Sequence, residues 1–263
     1  MNSNSSAPVC QHAKELRSRR LFAEVVECFW KQPPGIVDAL NRLSASRIFV
    51  VPILISEGYF TTEAIPAALG CASIPCPVPS TFQRGSQTIF YSAPIGTHKS
   101  MTDVILARAS GIVRQFPFPR SPKPADTTLF IAGHGTGKNE NSRQAIEHQV
   151  KLIAAQNIYA GVFSIFIEEE PRIADCYRLA ATRNIIVVPF FISDGMHTIE
   201  DIPQMLGEPR KVIEERMKAG QPTWRNPTEK HGKLLWYTPS VGTEPLVADV
   251  VLARVREASG LAP

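Results

Sequence analysis

The second half of the chain alternates short apolar runs with amphipathic stretches. TLFIA (128–132) and NIIVVPFFI (184–192) show no polar alternation, a pattern typical of parallel strands buried on both faces. The pattern predicts strands over 128–132, 160–167, 185–192 and 233–238, and helices over about 140–157, 172–182, 198–206 and 244–258. Alternating strands and helices of this length predict an α/β fold with a doubly wound parallel sheet.

The same pattern occurs twice. Twelve of the 22 residues in FVVPILISEGYFTTEAIPAALG (49–70) are identical to those in IVVPFFISDGMHTIEDIPQMLG (186–207), at a constant offset of 137. Two further pairs align, the second after a nine-residue insertion: Phe29–Pro34 with Phe166–Pro171, and 91–108 with 237–254. Similarity at a fixed offset indicates a tandem duplication.

A proline-rich segment, FPFPRSPKPAD (116–126), separates the copies, and its four prolines disfavour a helix or a central strand. We therefore predict two tandem α/β domains, 1–117 and 127–263, joined by a linker at 118–126. At the offset of the repeat, the counterpart of strand 128–132 falls before Met1. The first domain is expected to lack its first strand, either because the true start lies upstream or because this copy is a rearranged scaffold.

Composition narrows the class of protein. With 44% hydrophobic and 20% charged residues the chain is typical of a globular protein, and no apolar run reaches the roughly 20 residues of a membrane span. The N-terminal residues show no signal peptide, so we expect a cytoplasmic protein without a membrane partner. The net charge of +4 comes from dispersed basic residues, which disfavours nucleic acid as a partner. The oligomeric state stays open.

The loop GHGTGKN (133–139) has two possible interpretations. A phosphate loop would need glycine at 132 and Ser or Thr at 139, where the chain has Ala132 and Asn139. The missing hydroxyl would normally bind Mg²⁺, so nucleotide hydrolysis is disfavoured. The other interpretation is a metal site built around the histidine.

Three candidate metal-binding side chains follow three predicted strands. His134, Glu168 and His197 each lie just after a strand, at the edge of the sheet where α/β proteins bind ligands. Two imidazoles and a carboxylate suit a divalent first-row metal. Of the three consecutive glutamates, Glu169 and Glu170 are interpreted as helix N-terminal charges. His98 lies in a loop where the copies differ and is interpreted as solvated.

The loops also contain small residues that would let a broad ligand approach the backbone. Gly133 and Gly135 flank His134, and Ser193 and Gly195 precede His197. Glycine has no side chain to obstruct a flat ligand, so these positions are predicted to border the binding site.

These motifs together resemble a known family. The G-H-G loop, the segment VVPFFISDGMHTIEDIP (187–203) and the closing G-T…L-A-R segment resemble class II chelatases of the CbiX type, the sirohydrochlorin cobaltochelatases and ferrochelatases. The resemblance implies a lyase that inserts Co²⁺ or Fe²⁺ into an anionic tetrapyrrole such as sirohydrochlorin, without ATP or an organic cofactor. It further implies that His134 and His197 bind the metal, take the pyrrole protons, or do both, and that Glu168 assists. The carboxylates of such a substrate would suit a basic side chain, for which Lys138 is the first candidate and Arg225 the second.

The first copy departs from this pattern. Phe60 stands at the position of His197, and Lys31 at the position of Glu168. One active site is therefore expected, in residues 127–263. The alternative prediction is a non-catalytic carrier that binds metal or tetrapyrrole, because the first copy lacks the candidate metal-binding side chains.

Overall fold

The computed structural model describes residues 6–135 and 140–260. The helices are α1 (Ala7–Ser18), α2 (Ile36–Arg42), α3 (Ile65–Leu69), α4 (Met101–Gln115), α5 (Asn141–Ala154), α6 (Cys176–Leu179), α7 (Ile202–Met205), α8 (Arg210–Lys218) and α9 (Val247–Ala258). The strands are β1 (Arg47–Val50), β2 (Ser80–Arg84), β3 (Gln87–Tyr91), β4 (Thr127–Gly133), β5 (Gly161–Phe166), β6 (Asn184–Pro189), β7 (Thr228–Lys230) and β8 (Lys233–Tyr237). Within the described ranges, no helix is long and apolar enough to cross a membrane.

The described residues form two compact units. The five-stranded unit contains residues 102–244, and the three-stranded unit contains residues 6–101 and 245–260. The units therefore differ from the sequence domains 1–117 and 127–263, because α4 belongs to the five-stranded unit and α9 to the three-stranded unit. Those domain boundaries stay a prediction about the duplicated modules.

Two arginines at equivalent repeat positions hold the exchanged helices. Arg108 of α4 pairs with Glu244 at 3.2 Å within the five-stranded unit. Arg254 of α9 donates to the Pro94 carbonyl at 2.8 Å and to the Thr97 hydroxyl at 2.6 Å within the three-stranded unit. Each helix is thus tied to a turn of the copy to which it does not belong in sequence.

The sheet of the five-stranded unit has the order β5-β4-β6-β8-β7. β4 lies at an interior position, pairs in parallel with both β5 and β6, and is buried along its whole length. This confirms the predicted parallel α/β fold. The antiparallel edge strand β7 was not predicted. Its hairpin to β8 turns at His231 and Gly232, both with positive φ, as a tight hairpin turn requires.

The sheet of the three-stranded unit has the order β1-β3-β2, in which β1, β3 and β2 correspond to β6, β8 and β7. Residues 24–29, the counterpart of β5, form no ladder and make one isolated bridge, from Phe29 to Gly35. The reason is that β5 pairs with β4 alone, and the described part of the first copy contains no counterpart of β4. The prediction that the first copy lacks its first strand is confirmed for the described residues.

The duplication extends to individual hydrogen bonds. The Tyr91 hydroxyl donates to the Thr61 carbonyl, and the Tyr237 hydroxyl donates to the Thr198 carbonyl, each at 2.8 Å. Burial raises the pKa of both phenols above the usual value, so both remain protonated donors. The two copies therefore support the turn after their first shared strand in the same way.

Gly96 and Gly242 occupy equivalent turns and lie against backbone. The Gly242 amide donates to the Phe191 carbonyl at 2.9 Å, and a Cβ on Gly242 would lie 2.0 Å from the carbonyl oxygen of Ile192. This contact fixes the loop that follows β6, and no side chain larger than hydrogen fits there.

We predict that Gly242→Ala destabilises the protein by about 3 kcal/mol, because the new methyl group must displace a backbone carbonyl. Urea unfolding measures the loss. Gly111→Ala is the matched control: nothing lies within 4 Å of its Cβ position in α4, so its stability should be unchanged or slightly raised. Equal stability of the two variants would contradict the predicted close contact.

The interpretation of His98 as a solvated loop residue is wrong. His98 is buried in the three-stranded unit, where its Nδ1 accepts the Ser100 amide at 3.0 Å and its Nε2 lies 3.1 Å from Glu257. Burial, and next the charge of Arg254, lower the pKa of His98. The neutral ring satisfies both contacts, since protonating Nδ1 would remove the acceptor for Ser100.

This lowered pKa predicts a dependence of stability on pH. Below about pH 6.5 the unfolded chain binds a proton at His98 more readily than the folded protein does, so the folded state loses stability as the pH falls. Wild type should lose more stability between about pH 7.5 and about pH 5.5 than His98→Asn, which keeps an acceptor for Ser100. Urea unfolding at both pH values compares them, and parallel losses would contradict the assignment.

Candidate functional site

His134 lies directly after β4, at the carboxyl end of an interior strand. Its Nδ1 is 2.8 Å from the carbonyl oxygen of Gly135. A carbonyl only accepts hydrogen bonds, so this Nδ1 must carry the proton. The remaining ring nitrogen, Nε2, is therefore the basic atom that could bind a metal.

His197 begins a π-helical turn, His197–Asp201, in which the Ile202 amide donates to the His197 carbonyl. At this spacing Asp201 returns to the same face, and its Oδ2 lies 2.7 Å from the Nδ1 of His197. The carboxylate holds the proton on Nδ1 and again leaves Nε2 as the basic nitrogen. π-Helical turns occur frequently at functional sites.

The structure brings His134 and His197 together. The ring centroids are 4.7 Å apart at an interplanar angle of 84°, and both side chains are partly exposed. This spacing is compatible with Nε2 of each ring binding one ion through bonds of about 2.0–2.1 Å. The hydrogen bond that each Nδ1–H donates to an oxygen selects the same tautomer in both rings, as ligation through Nε2 requires.

Glu168 is the third predicted residue, and it lies beside His134. Its amide donates to the His134 carbonyl at 2.9 Å, and its exposed carboxylate reaches 3.8 Å from the Nδ1 of His134. This is longer than a hydrogen bond, so Glu168 is positioned near the rings without being held by them.

The two neighbouring glutamates make other contacts. Glu169 pairs with Arg143 at 2.7 Å, and Glu170 pairs with Arg172 at 3.3 Å. Arg143 also lies over the Phe166 ring at 4.3 Å. These pairs engage Glu169 and Glu170 and leave Glu168 as the carboxylate of the three that lies beside His134.

The glycines around His134 have packing roles in the fold. A Cβ on Gly133 would lie 2.1 Å from Ile146 of α5, and Gly135 has a φ of +67° with Phe166 3.0 Å from its Cβ position. Their predicted contact with a broad ligand stays a prediction.

The other predicted border residues differ in their surroundings. Ser193 is partly buried in the loop after β6. The Cβ position of Gly195 meets nothing within 4 Å, which is consistent with an open surface there. Lys138 lies outside the described residues, as do Thr136, Gly137 and Asn139, which belong to the disfavoured phosphate-loop interpretation.

Sequence reasoning missed two carboxylates that organise this site. Asp201 orients His197, and the spacing of four residues from histidine to aspartate was the available signal. Asp194 accepts the Ser240 amide at 2.9 Å and so ties the loop before His197 to the turn after β8. Nothing in the sequence indicates that second contact, because its partners are 46 residues apart.

Two imidazoles alone would make an open metal site. Over residues 6–135 and 140–260, no group of three or more His, Cys, Asp or Glu side chains is arranged to hold a metal ion. A site with two protein ligands leaves several positions on the ion for water or for another ligand. Such a site is better suited to a metal ion that is transferred to another ligand than to a permanently bound metal ion.

Comparisons with known proteins identify the family of the chain. The family model CbiX matches residues 2–111 and 128–258, and the chain belongs to the CbiX family. A probable sirohydrochlorin cobaltochelatase of Halobacterium salinarum is 37% identical over 269 residues, covering 98% of this chain and 88% of that protein. A sirohydrochlorin cobaltochelatase of Methanopyrus kandleri is 30% identical over 140 residues, covering 50% of this chain and 96% of that protein. The predicted enzyme class, a metal chelatase among the lyases, is confirmed.

Solved structures show the same fold. A multi-domain protein of Deinococcus radiodurans, described as structurally similar to chelatases, superposes with a TM-score of 0.77 at 27% identity over 97% of this chain. The chain spans about half of that protein, 52% of its length. SirB from Bacillus subtilis with Fe³⁺ has a TM-score of 0.67 at 17% identity, covering 97% of this chain and 89% of SirB. At 17% identity, the similarity to SirB shows a shared fold alone.

We predict that Asp201→Asn weakens Co²⁺ binding by roughly tenfold to a hundredfold, because the amide no longer fixes the proton on the Nδ1 of His197. Isothermal titration with Co²⁺ measures the affinity. Glu200→Gln removes the adjacent carboxylate of the same turn and should leave the affinity within about twofold. Equal weakening by both substitutions would show a general charge effect and contradict the orienting role of Asp201.

Proposed function

We propose that the protein inserts a divalent metal ion, Co²⁺ or Fe²⁺, into sirohydrochlorin or a closely similar tetrapyrrole, without ATP. The observation that carries this proposal is that His134 and His197 share one tautomer. Nδ1–H of His134 donates to the carbonyl of Gly135, and Nδ1–H of His197 donates to the carboxylate of Asp201. The names of the Halobacterium and Methanopyrus relatives support sirohydrochlorin as the substrate and Co²⁺ as the first metal to test.

The reaction needs a site that binds the metal and then releases it. In the proposed sequence, Nε2 of His134 and of His197 take the place of two water molecules on the ion. The pyrrole nitrogens of the docked macrocycle then replace the imidazoles one after another. Neutral imidazoles suit this exchange, because they bind a first-row metal without neutralising its charge.

Metal insertion releases two protons, since the free macrocycle carries two N–H groups and the product carries the dication in their place. Glu168 is the proposed first acceptor, as its carboxylate is exposed and lies beside His134. Each of the two protons passes in turn from Glu168 to solvent. Chemistry of this kind is driven by the metal–nitrogen bonds, which is consistent with a reaction that needs no nucleotide.

We predict that His134→Ala and His197→Ala each lower the rate of metal insertion at least about a hundredfold. Removing a residue that only supports a metal ligand already costs up to about a hundredfold, and losing the ligand itself should cost at least as much. The assay is anaerobic incubation of sirohydrochlorin with Co²⁺ or Fe²⁺, followed by the visible spectrum of the macrocycle. His148→Ala, on the exposed face of α5, is the matched control and should keep wild-type activity.

The same assay separates the alternative function. A carrier protein would bind the macrocycle or the metal tightly and insert metal no faster than the double variant His134→Ala/His197→Ala. Wild type that shows this behaviour would refute the chelatase proposal. The observation behind the carrier alternative is the first copy, which has Phe60 and Lys31 in place of His197 and Glu168.

A further inference from the structure

The surface of the first copy that corresponds to the metal site carries different chemistry. We call this the aromatic surface and define it by Trp30, Lys31, Tyr59 and Phe60. At the repeat offset of 137 their counterparts in the second copy are Ile167, Glu168, Met196 and His197. The aromatic surface thus stands where the second copy has the imidazole and carboxylate of its site.

Within the three-stranded unit, Trp30 and Tyr59 both contact Phe60, and all three aromatic side chains face solvent. Phe60 packs edge-on against Trp30 and against Tyr59, each with ring centroids 5.6 Å apart. Trp30 is 51% exposed, Tyr59 62% and Phe60 41%. Exposed apolar side chains that form one contiguous patch usually mark a binding surface. Exposed apolar side chains that are scattered singly are normal and need no explanation.

The fold does not require these rings. Phe60–Ala64 forms the same π-helical turn as His197–Asp201. In the first copy Gly58 and Thr61 exchange hydrogen bonds of 2.8 and 2.9 Å, and Gly195 and Thr198 do the same in the second at 2.9 and 3.1 Å. The same turn therefore carries His197 in one copy and Phe60 in the other, so the turn itself does not require an aromatic residue at this position.

The charge of the surface also differs between the copies. The second copy has Glu168, Glu169 and Glu170 in the loop before its cis proline, whereas the first copy has Lys31, Gln32 and Pro33. Asp201 is replaced by Ala64 in the same comparison. Four carboxylates are lost and one exposed cation is gained, which makes this surface complementary to an anion.

We propose that the aromatic surface binds the flat face of the metal-free tetrapyrrole, with the rings of Trp30 and Phe60 against the macrocycle and Lys31 near its carboxylates. This inference rests on the proposed function for the identity of the ligand. A ligand that is flat, aromatic and polyanionic matches both features of the surface, since rings stack on its face and the cation pairs with its acidic groups.

The test exploits the repeat to choose substitutions that the fold tolerates. Trp30→Ile, Tyr59→Met and Lys31→Glu each install the residue that the second copy carries at the same position. We measure the Kd of metal-free sirohydrochlorin from its absorbance change, in the His134→Ala/His197→Ala background and without added metal. Each of Trp30→Ile and Lys31→Glu should raise the Kd about tenfold, and the Lys31→Glu effect should shrink at high salt.

Phe118→Ala is the control, because Phe118 is a 77% exposed aromatic residue of the five-stranded unit and should not affect the Kd. Quenching of protein fluorescence gives a second readout: Trp224 and Trp236 are buried, so Trp30→Ile should remove the part of the quenching that a solvent-facing tryptophan contributes.

The outcomes separate this inference from the proposed function. If wild type inserts metal but Trp30→Ile and Lys31→Glu bind the macrocycle as tightly as the background protein, the aromatic surface is not its binding site and the chelatase proposal stands. If wild type inserts no metal but binds the macrocycle with the predicted sensitivity at Trp30 and Lys31, the chelatase proposal fails and the aromatic surface stands. Equal weakening by Phe118→Ala would overturn the inference as nonspecific adsorption.

Discussion

The pairing of β4 on both of its edges is the constraint on which the candidate site depends. Parallel ladders with β5 and β6 align the carboxyl ends of three strands, and His134, Glu168 and His197 follow those ends. The amides of Ile167 and Glu168 also donate to the carbonyl of His134. Backbone hydrogen bonds therefore set the spacing of the site before any side chain contributes. In the first copy, whose described residues contain no such strand, the counterpart of β5 forms no ladder.

The duplication shows how one scaffold supports two kinds of surface. Both copies keep the π-helical turn, the tyrosine that donates to it and the glycine that packs against the loop carbonyl. These contacts are among buried or backbone atoms, where few substitutions fit. The exposed residues on top of them have no such restriction, and imidazole and carboxylate in one copy become aromatic and cationic in the other. The fold thus permits the change of chemistry that the two proposals describe.

Much of the fold could be predicted, because its parallel strands are continuous apolar runs. The predicted strand 128–132 is β4 within one residue at each end, whereas the predicted helix 172–182 shrinks to α6 with a preceding turn. The hairpin of β7 was missed, since its turn depends on positive φ at His231 and Gly232, which residue patterning does not reveal. His98 was misjudged because the copies differ in its loop, while its burial comes from packing among distant segments of the three-stranded unit.

By itself the sequence determined the tandem α/β repeat, the family resemblance and the histidines to examine, because periodicity, identity between copies and residue type are local properties of the chain. Tertiary structure decided which carboxylate lies beside His134, how the loop before His197 is held and which unit each exchanged helix joins. Those outcomes depend on contacts between residues far apart in sequence, such as Arg143 with Glu169 and Asp194 with Ser240. A hydrogen bond forms only when folding brings its donor and acceptor atoms within about 3 Å at a suitable angle. The residue pattern along the chain does not specify that geometry.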